Sequence, residues 1–565
     1  MLKDRSFYVF NSVEVPMRDG CLLRANIWLP AESGTWSVLL QRTPYRKEDV
    51  FSTQYISAMD FDAALKRGYA IIVQDTRGRY GSDGCFVPFV NEQTDGEDTV
   101  AWIKAQEFCN GKIIMFGASY VGATQVLAAA ANPTGLIAMS PHLTTGRHGD
   151  TWCYRGGAIE LSFLYLWIID ALAGPDLERR KSHMPDIEVK KAQELLSDFQ
   201  KDPQKAFSRL PLVDNDICLL APYVRDWFSK DKAENAVSDR EHLESLEKTS
   251  LSVLVSCGWN DLFLEGALEL FVTMRSRWGE AVKVPDRLII GPWSHGNPSA
   301  WQGDIYLGPL ASTAELLNQQ LNFFDSVSTG YMPKTAMVTY FRSGSNSWHT
   351  APDWPIPGTE YTKVYLYDDS LLEDPIEYKS LDWHKNFISD PLNPVPTVGG
   401  ATFLPGLMLA KNSGPKNQAL VEAREDVLLF TSDILADSVE VTGIVEVALW
   451  VSSTGKSADW TARLCEVDEE GNSIGLVDGI YRQYKAKSQP TEIKIKLGHI
   501  SHLFQSGKRI RLQIASSNFP RFNRNPQSGM DPSLSPKSDF FVAKHSVYAG
   551  EKMKSCLILP VLKVL

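Results

Sequence analysis

One stretch decides most of what this chain can fold into. Residues 112–131, KIIMFGASYVGATQVLAAAA, read as a short apolar strand, a G-x-S-x-G pentapeptide and a helix of small residues. Ile113 to Phe116 form the unbroken apolar run expected of a parallel strand buried on both faces. Gly117 and Gly122 flank Ser119, as a sharp strand-to-helix turn demands, because a Cβ at either place would crowd the neighbouring backbone. Such a turn pushes the serine hydroxyl out at the top of a sheet, where it can serve as a nucleophile. In a chain with 39 glycines the pentapeptide alone means little, and the strand before it and the helix after it make it specific. The structural alternative is a glycine turn whose serine only caps the helix.

A nucleophilic serine needs a base, and in α/β-hydrolases the partners follow in the order Ser, Asp or Glu, His. Of ten histidines, His295 stands out because it follows a strand-like run ending in Gly291 and Pro292. Asp261 lies just past a second apolar run, residues 251–257. Catalytic groups of open α/β sheets collect at the carboxyl edge of the strands, so Ser119, Asp261 and His295 are expected there together. Taken singly, Asp261 also reads as an N-cap for a helix over 262–274, and His295 as a loop histidine.

The segments R-T-P-Y at Arg42 to Tyr45, Q-D-T-R-G-R-Y-G-S-D-G at Gln74 to Gly84, G-A-S-Y-V-G, G-W-N-D at Gly258 to Asp261 and G-P-W-S-H at Gly291 to His295 resemble the CocE/NonD hydrolases. That family includes bacterial cocaine esterases, α-amino acid ester hydrolases, cephalosporin acylases and X-prolyl dipeptidyl peptidases. The resemblance continues through Asp459 to Leu464, Val477 to Ile480 and Arg509 to Asn525, and so covers nearly the whole chain. Within the family the cocaine esterase branch is the one resembled most. It implies an α/β-hydrolase core with a helical cap and a C-terminal jelly roll, acting without a cofactor.

Composition agrees. With 565 residues, 44% of them hydrophobic, the chain has room for several cores. A net charge of −11 with no basic cluster makes nucleic acid and anionic membranes poor partners. The first residues carry charges where a signal peptide needs an apolar core, and no apolar run is long enough to span a bilayer. Eight scattered cysteines show no C-x-x-C and no zinc spacing, so free thiols in a cytoplasmic protein and no bound metal are expected. The glycines of residues 78–84 lack the lysine and helix of a phosphate cradle and are read as structural. Whether the chain pairs as a homodimer is left open.

Along the chain, residues 13–30 read as a hairpin turned at Asp19-Gly20. Strands at 36–41, 69–75, 112–118, 136–139, 252–257 and 287–290 alternate with helical segments, which is the α/β pattern. From 146 to 245 strand signals vanish and helices are expected over 158–172 and 187–199, as in a cap over an active site. From 355 onward short strands return at 363–367, 439–452, 493–497 and 509–515. The expected organisation is a hydrolase core over 1–145 and 246–354, a cap over 146–245 and a β-sandwich over 355–565.

If the serine is a nucleophile, His295 takes its proton, Asp261 holds the imidazole, and the backbone N–H of Tyr120 supplies one oxyanion donor. The resemblance implies the phenol of Tyr45 as the second donor, the alternative being a packing residue at a strand end. The α-amino acid ester hydrolases hold acidic residues two and three positions after the triad aspartate, where this chain has Phe263 and Leu264. An amine-binding cluster is therefore missing. By the same resemblance Trp152, Trp167 and Phe263 line an acyl pocket. The tryptophans are spaced to share one helical face, though plain core packing fits as well. Further pocket residues are expected near Phe403 to Met408. The expected activity is hydrolysis of small esters with apolar or aromatic acyl groups, the small-molecule partner being an ester or an amide. An amidase or cephalosporin acylase would use the same triad, and an inert, glycan-binding relative is the remaining alternative.

Overall fold

The computed structural model describes residues 7–49, 59–228, 241–277, 284–312, 314–331, 337–373, 383–404 and 412–562. A ten-stranded sheet runs through the first part of the chain. Its strands are β1 (Tyr8–Pro16), β2 (Leu22–Leu29), β3 (Trp36–Thr43), β4 (Tyr69–Asp75), β5 (Cys109–Ala118), β6 (Leu136–His142), β7 (Ser252–Asn260), β8 (Arg287–Ser294), β9 (Val338–Arg342) and β10 (Ser347–Ala351). The spatial order is β1-β2-β4-β3-β5-β6-β7-β8-β9-β10. Every pair from β4 to β9 is parallel, and antiparallel strands close both edges. The expected hairpin is β1 and β2, turned through Gly20 at φ +82°. The six expected parallel strands are β3 to β8; β4 has the expected bounds and the others run somewhat longer. The β9–β10 pair gave no comparable signal.

The centre of the sheet explains itself from sequence. Ile113, Ile114, Met115 and Phe116 are wholly buried, because strands in the middle of a parallel sheet are covered on both faces. Each such side chain contributes roughly 1.5–3 kcal/mol by leaving water. The helix that follows, α1 (Tyr120–Ala130), is buried along its whole length, which is why it is built of alanine, valine and glycine. Its small residues permit close approach to the layer beneath, where Gly96 sits against Ala128.

Between β6 and β7 the chain forms helices, among them α2 (Leu161–Trp167) and α3 (Asp186–Lys201). The expected helix over 158–172 begins later, at Leu161, and continues past its expected end into the helical residues Ala173–Arg180. Ala158–Ile159 instead pair with Tyr154–Arg155 in a small hairpin. Its turn, Gly156 and Gly157 at φ +54° and +83°, admits only glycine. Gly156 also lies so near the Ile480 carbonyl that a Cβ there would be 1.8 Å away. At its other end α2 runs into a π-helical turn, Ile168–Leu172.

Among the described residues, twelve strands from Glu360 to Leu562 form the second, β-rich domain. The four expected strands lie within Glu360–Tyr367, Val439–Ser453, Thr491–Phe504 and Arg509–Ala515. Residues 444–451 alternate half-buried and buried, as a strand with one face on a core must. The two sheets meet through main-chain bonds: Ser343, just past β9, donates to the Ser501 carbonyl at 3.0 Å and accepts from Leu503 N–H at 2.9 Å. A buried ionic chain joins the insertion between β6 and β7 to the β-rich domain. Arg155 pairs with Glu160 (3.0 Å), Glu160 with Arg521 (3.3 Å), Arg521 with Asp478 (2.7 Å) and Asp478 with Arg463 (2.9 Å). Removing one member would strand a buried charge, which is strongly destabilising. All eight cysteines are free thiols.

Candidate active site

Ser119 sits between β5 and α1 with φ +59° and ψ −127°, a region that L-residues occupy only when the surroundings impose it. Its N–H donates to the His142 carbonyl at 2.9 Å, and its own carbonyl accepts from Gly122 and Ala123. The flanking glycines are required because a Cβ on either would meet a side chain, and Gly117 also sits at φ +133°. A Cβ on Gly117 would lie 2.3 Å from Val121 Cγ1, and one on Gly122 would lie 2.6 Å from Thr144 Cγ2. Ser119 makes no capping hydrogen bond with its side chain.

That side chain meets His295 Nε2 at 2.9 Å, and His295 Nδ1 meets Asp261 Oδ2 at 2.6 Å. A carboxylate only accepts, so Nδ1 carries the proton toward Asp261 and Nε2 is left to accept from the serine hydroxyl. The other Asp261 oxygen accepts the Phe263 N–H at 2.7 Å, which fixes the carboxylate from behind. Phe263, not Asp261, precedes the helix α4 (Leu264–Ser276). Asp261 and His295 follow β7 and β8, so three segments separated by 142 and 34 residues (261 − 119 and 295 − 261) converge on one edge of the sheet. All three are buried, at 7%, 1% and 2% exposure.

Tyr45 lies just past β3, with its phenol within hydrogen-bonding reach of the Ser119 hydroxyl. Burial pushes that phenol well above its ordinary pKa, so it stays protonated. Tyr120, as the first residue of α1, presents a backbone N–H that the helix itself leaves unpaired. Its side chain is pinned by accepting Phe89 N–H at 2.8 Å and donating to Glu92 Oε1 at 3.0 Å. Glu92 in turn pairs with the buried Arg42 of the R-T-P-Y segment.

Trp152, Trp167 and Phe263 belong to one aromatic cluster beside His295. Trp152 stacks on Phe263 with ring centroids 4.2 Å apart and meets Trp167 edge-on at 5.4 Å. No common helix carries the two tryptophans, because Trp152 precedes the glycine hairpin and Trp167 ends α2. Phe263 meets the His295 ring at 5.1 Å. Phe403, at the start of the segment expected to close the pocket, meets His295 at 4.7 Å and stacks on Phe163 at 5.6 Å. Residues 405–408 of that segment lie outside the described residues. Phe89 and Trp227 complete the cluster, with no sequence signal that distinguished them from core aromatics.

Two carboxylates near the site are engaged elsewhere. Asp150 faces Arg147 at 3.6 Å. Glu265 accepts from both His499 N–H and His499 Nδ1, each at 2.8 Å, and so links α4 to the β-rich domain. Burial pushes the Glu265 carboxyl up, but the charge of His499 and these hydrogen bonds outweigh it and hold the pKa at about 2. A carboxylate depressed in the fold stabilises it fully above its unfolded pKa, near 4.5, and the contribution fades as pH falls toward 2. Glu265→Gln is accordingly expected to lower stability at pH values just above 4.5 and to flatten the loss between pH 4.5 and 2. Denaturant unfolding across that range checks it, and a parallel shift at every pH would contradict the assignment.

Among the described residues no three His, Cys, Asp or Glu side chains are grouped as metal ligands, and no helix is long and apolar enough to cross a membrane.

Comparison with known proteins defines this chain as a serine hydrolase. Residues 19–297 match the family described as X-Pro dipeptidyl-peptidase (S15 family), and residues 331–558 match the X-Pro dipeptidyl-peptidase C-terminal non-catalytic domain. The cocaine esterase of Rhodococcus sp. (strain MB1 Bresler) is 32% identical over 99% of this chain and 100% of that protein. The chain therefore belongs to the CocE/NonD hydrolases of the S15 family. Two solved structures share its fold over nearly their full length. An α-amino acid ester hydrolase has a TM-score of 0.79 at 22% identity, covering 100% of this chain and 98% of that one. An aminopeptidase from a marine sediment archaeon, Thaumarchaeota archaeon, also has a TM-score of 0.79, at 21% identity, covering 99% and 97%.

Proposed function

We propose that this chain is a serine carboxylesterase for small esters whose acyl group is compact and apolar or aromatic. The observation that carries the reading is the unbroken hydrogen-bonded line from Ser119 Oγ through His295 to Asp261 at 2.9 and 2.6 Å. In this reading His295 takes the serine proton as Oγ attacks the ester carbonyl, and Asp261 stabilises the imidazolium that forms. The imidazolium then protonates the departing alcohol, and a water deprotonated by the same imidazole releases the acid from the acyl-enzyme. The tetrahedral oxyanion is held by the Tyr120 N–H and the Tyr45 phenol. Trp152, Trp167, Phe263 and Phe403 enclose the acyl group, and the esterase named among the relatives supports an ester rather than a peptide substrate.

An amidase shares every one of these steps but must protonate a poorer leaving group, so a panel of acyl esters with matching amides separates the two readings. Faster amide hydrolysis would overturn this one. Stoichiometric labelling by a fluorophosphonate, lost in Ser119→Ala, distinguishes either from an inert binding protein. Tyr45→Phe removes one hydrogen bond made chiefly in the transition state, so kcat is expected to fall by about 10²-fold or more with KM little changed. An unchanged kcat would return Tyr45 to a packing role.

A further inference from the structure

Trp167 has a polar contact that a wall of the acyl pocket does not need. Its indole Nε1–H donates to the Tyr45 phenolic oxygen at 2.9 Å, with both side chains buried. A phenol oxygen that accepts from an indole still has its own proton to give, and accepting one hydrogen bond strengthens the donation of another. The indole therefore restricts where the Tyr45 proton points. It is a rigid support, since its ring lies parallel to Trp227 at 5.8 Å and to Phe163 at 5.9 Å.

The backbone around this contact is tied together by Arg79, whose side chain is wholly buried. Its Nε donates to the carbonyl of Pro44, the residue before Tyr45, at 2.8 Å. Its other nitrogens donate to the carbonyls of Ala171 (2.9 Å) and Leu172 (3.2 Å), in the π-helical turn that follows Trp167, and to Asp176 at 2.6 Å. One guanidinium thus sets the distance between the Tyr45 loop and the end of α2. A lysine could not make this set of bonds, because the planar fork is what reaches several acceptors at once.

We propose that Trp167 is a positioning residue for the oxyanion donor: through its bond to Tyr45, with Arg79 fixing the spacing, the helical insertion completes the oxyanion hole and does not merely wall the acyl group. The inference rests on the role given to Tyr45 above. It makes catalysis on every ester depend on Trp167, including acetyl esters too short to fill an aromatic pocket.

The test compares Trp167→Phe, Tyr45→Phe and the double variant on a phenyl acetate substrate. Trp167→Phe keeps a flat ring in the cluster and deletes the N–H. It is expected to lower kcat by about tenfold, the worth of one well-placed hydrogen bond, with KM nearly unchanged. In the Tyr45→Phe background the same substitution should cost little more, since the bond is already gone. Full fluorophosphonate labelling and an unchanged melting profile of the variant confirm that the fold and nucleophile are intact; should Trp167→Phe fold poorly, Arg79→Lys provides the second reading, with the same selective loss in kcat expected. Loss in Tyr45→Phe with none in the folded variants would overturn this inference alone. Full activity in Tyr45→Phe would remove both this inference and the oxyanion role beneath it, and additive losses in the double variant would assign Trp167 to packing.

Discussion

Ser119→Ala is expected to lower kcat by about 10⁶-fold while leaving the melting profile within a few degrees of the parent. The size follows from the nucleophilic role proposed for Ser119, the hydroxyl that among the described residues bonds His295 Nε2. The fold should be indifferent, since Ser119 holds its turn through backbone bonds that alanine keeps. Ser119→Gly sharpens the argument. A residue at φ +59° and ψ −127° carries strain of about 1–3 kcal/mol that glycine relieves, so the glycine variant should be equally inactive but more stable than the alanine one. Turnover in either variant above about 10⁻³ of the parent rate would place the nucleophile elsewhere.

The second large effect is discrimination against amines. Two and three residues past Asp261 stand Phe263 and Leu264, both buried, and the nearby carboxylates Asp150 and Glu265 are committed to Arg147 and His499. An ammonium brought into the aromatic cluster would lose its hydration with no counter-charge to replace it, at a cost of several kcal/mol. A phenylglycine ester is therefore expected to show a kcat/KM about 10³-fold below that of the matching phenylacetate ester while its amine is protonated. Raising the pH through the amine's own ionisation should close much of the gap. Equal rates at neutral pH would mean that Asp150 or Glu265 turns toward the substrate, and the specificity reading would fail.

What could be read from sequence and what could not divide along a physical line. Ser119, Asp261 and His295 were legible because each depends on a local feature: a glycine-flanked turn, or a polar residue just past an apolar strand. The parallel strands announced themselves by unbroken apolar runs for the same reason. Contacts made between distant segments left no such trace. The two tryptophans do meet, though not from one helical face, because Trp152 precedes the glycine hairpin and Trp167 ends α2. Arg79 was legible only as part of the Gln74 to Gly84 segment that carries the resemblance, and its purpose appears once Pro44, Ala171 and Asp176 surround it. The segments around Asp478 and Arg521 carried resemblance without chemistry until the ionic chain gave them a structural role, and Asp459 proves to pair separately with the buried Arg482 at 2.6 Å.

Phe403 gives the division of labour in this molecule an unexpected boundary. It belongs to the part of the chain matched by a domain described as non-catalytic, yet its ring rests 4.7 Å from that of His295. A shortened enzyme ending after β10 would open the imidazole to water on that side and leave Glu160 without its partner Arg521. Recombination between relatives meets the same seam. A crossover placed between the two sheets would carry Phe403 with the incoming half, so chimeras joined there are expected to take their substrate preference from both parents.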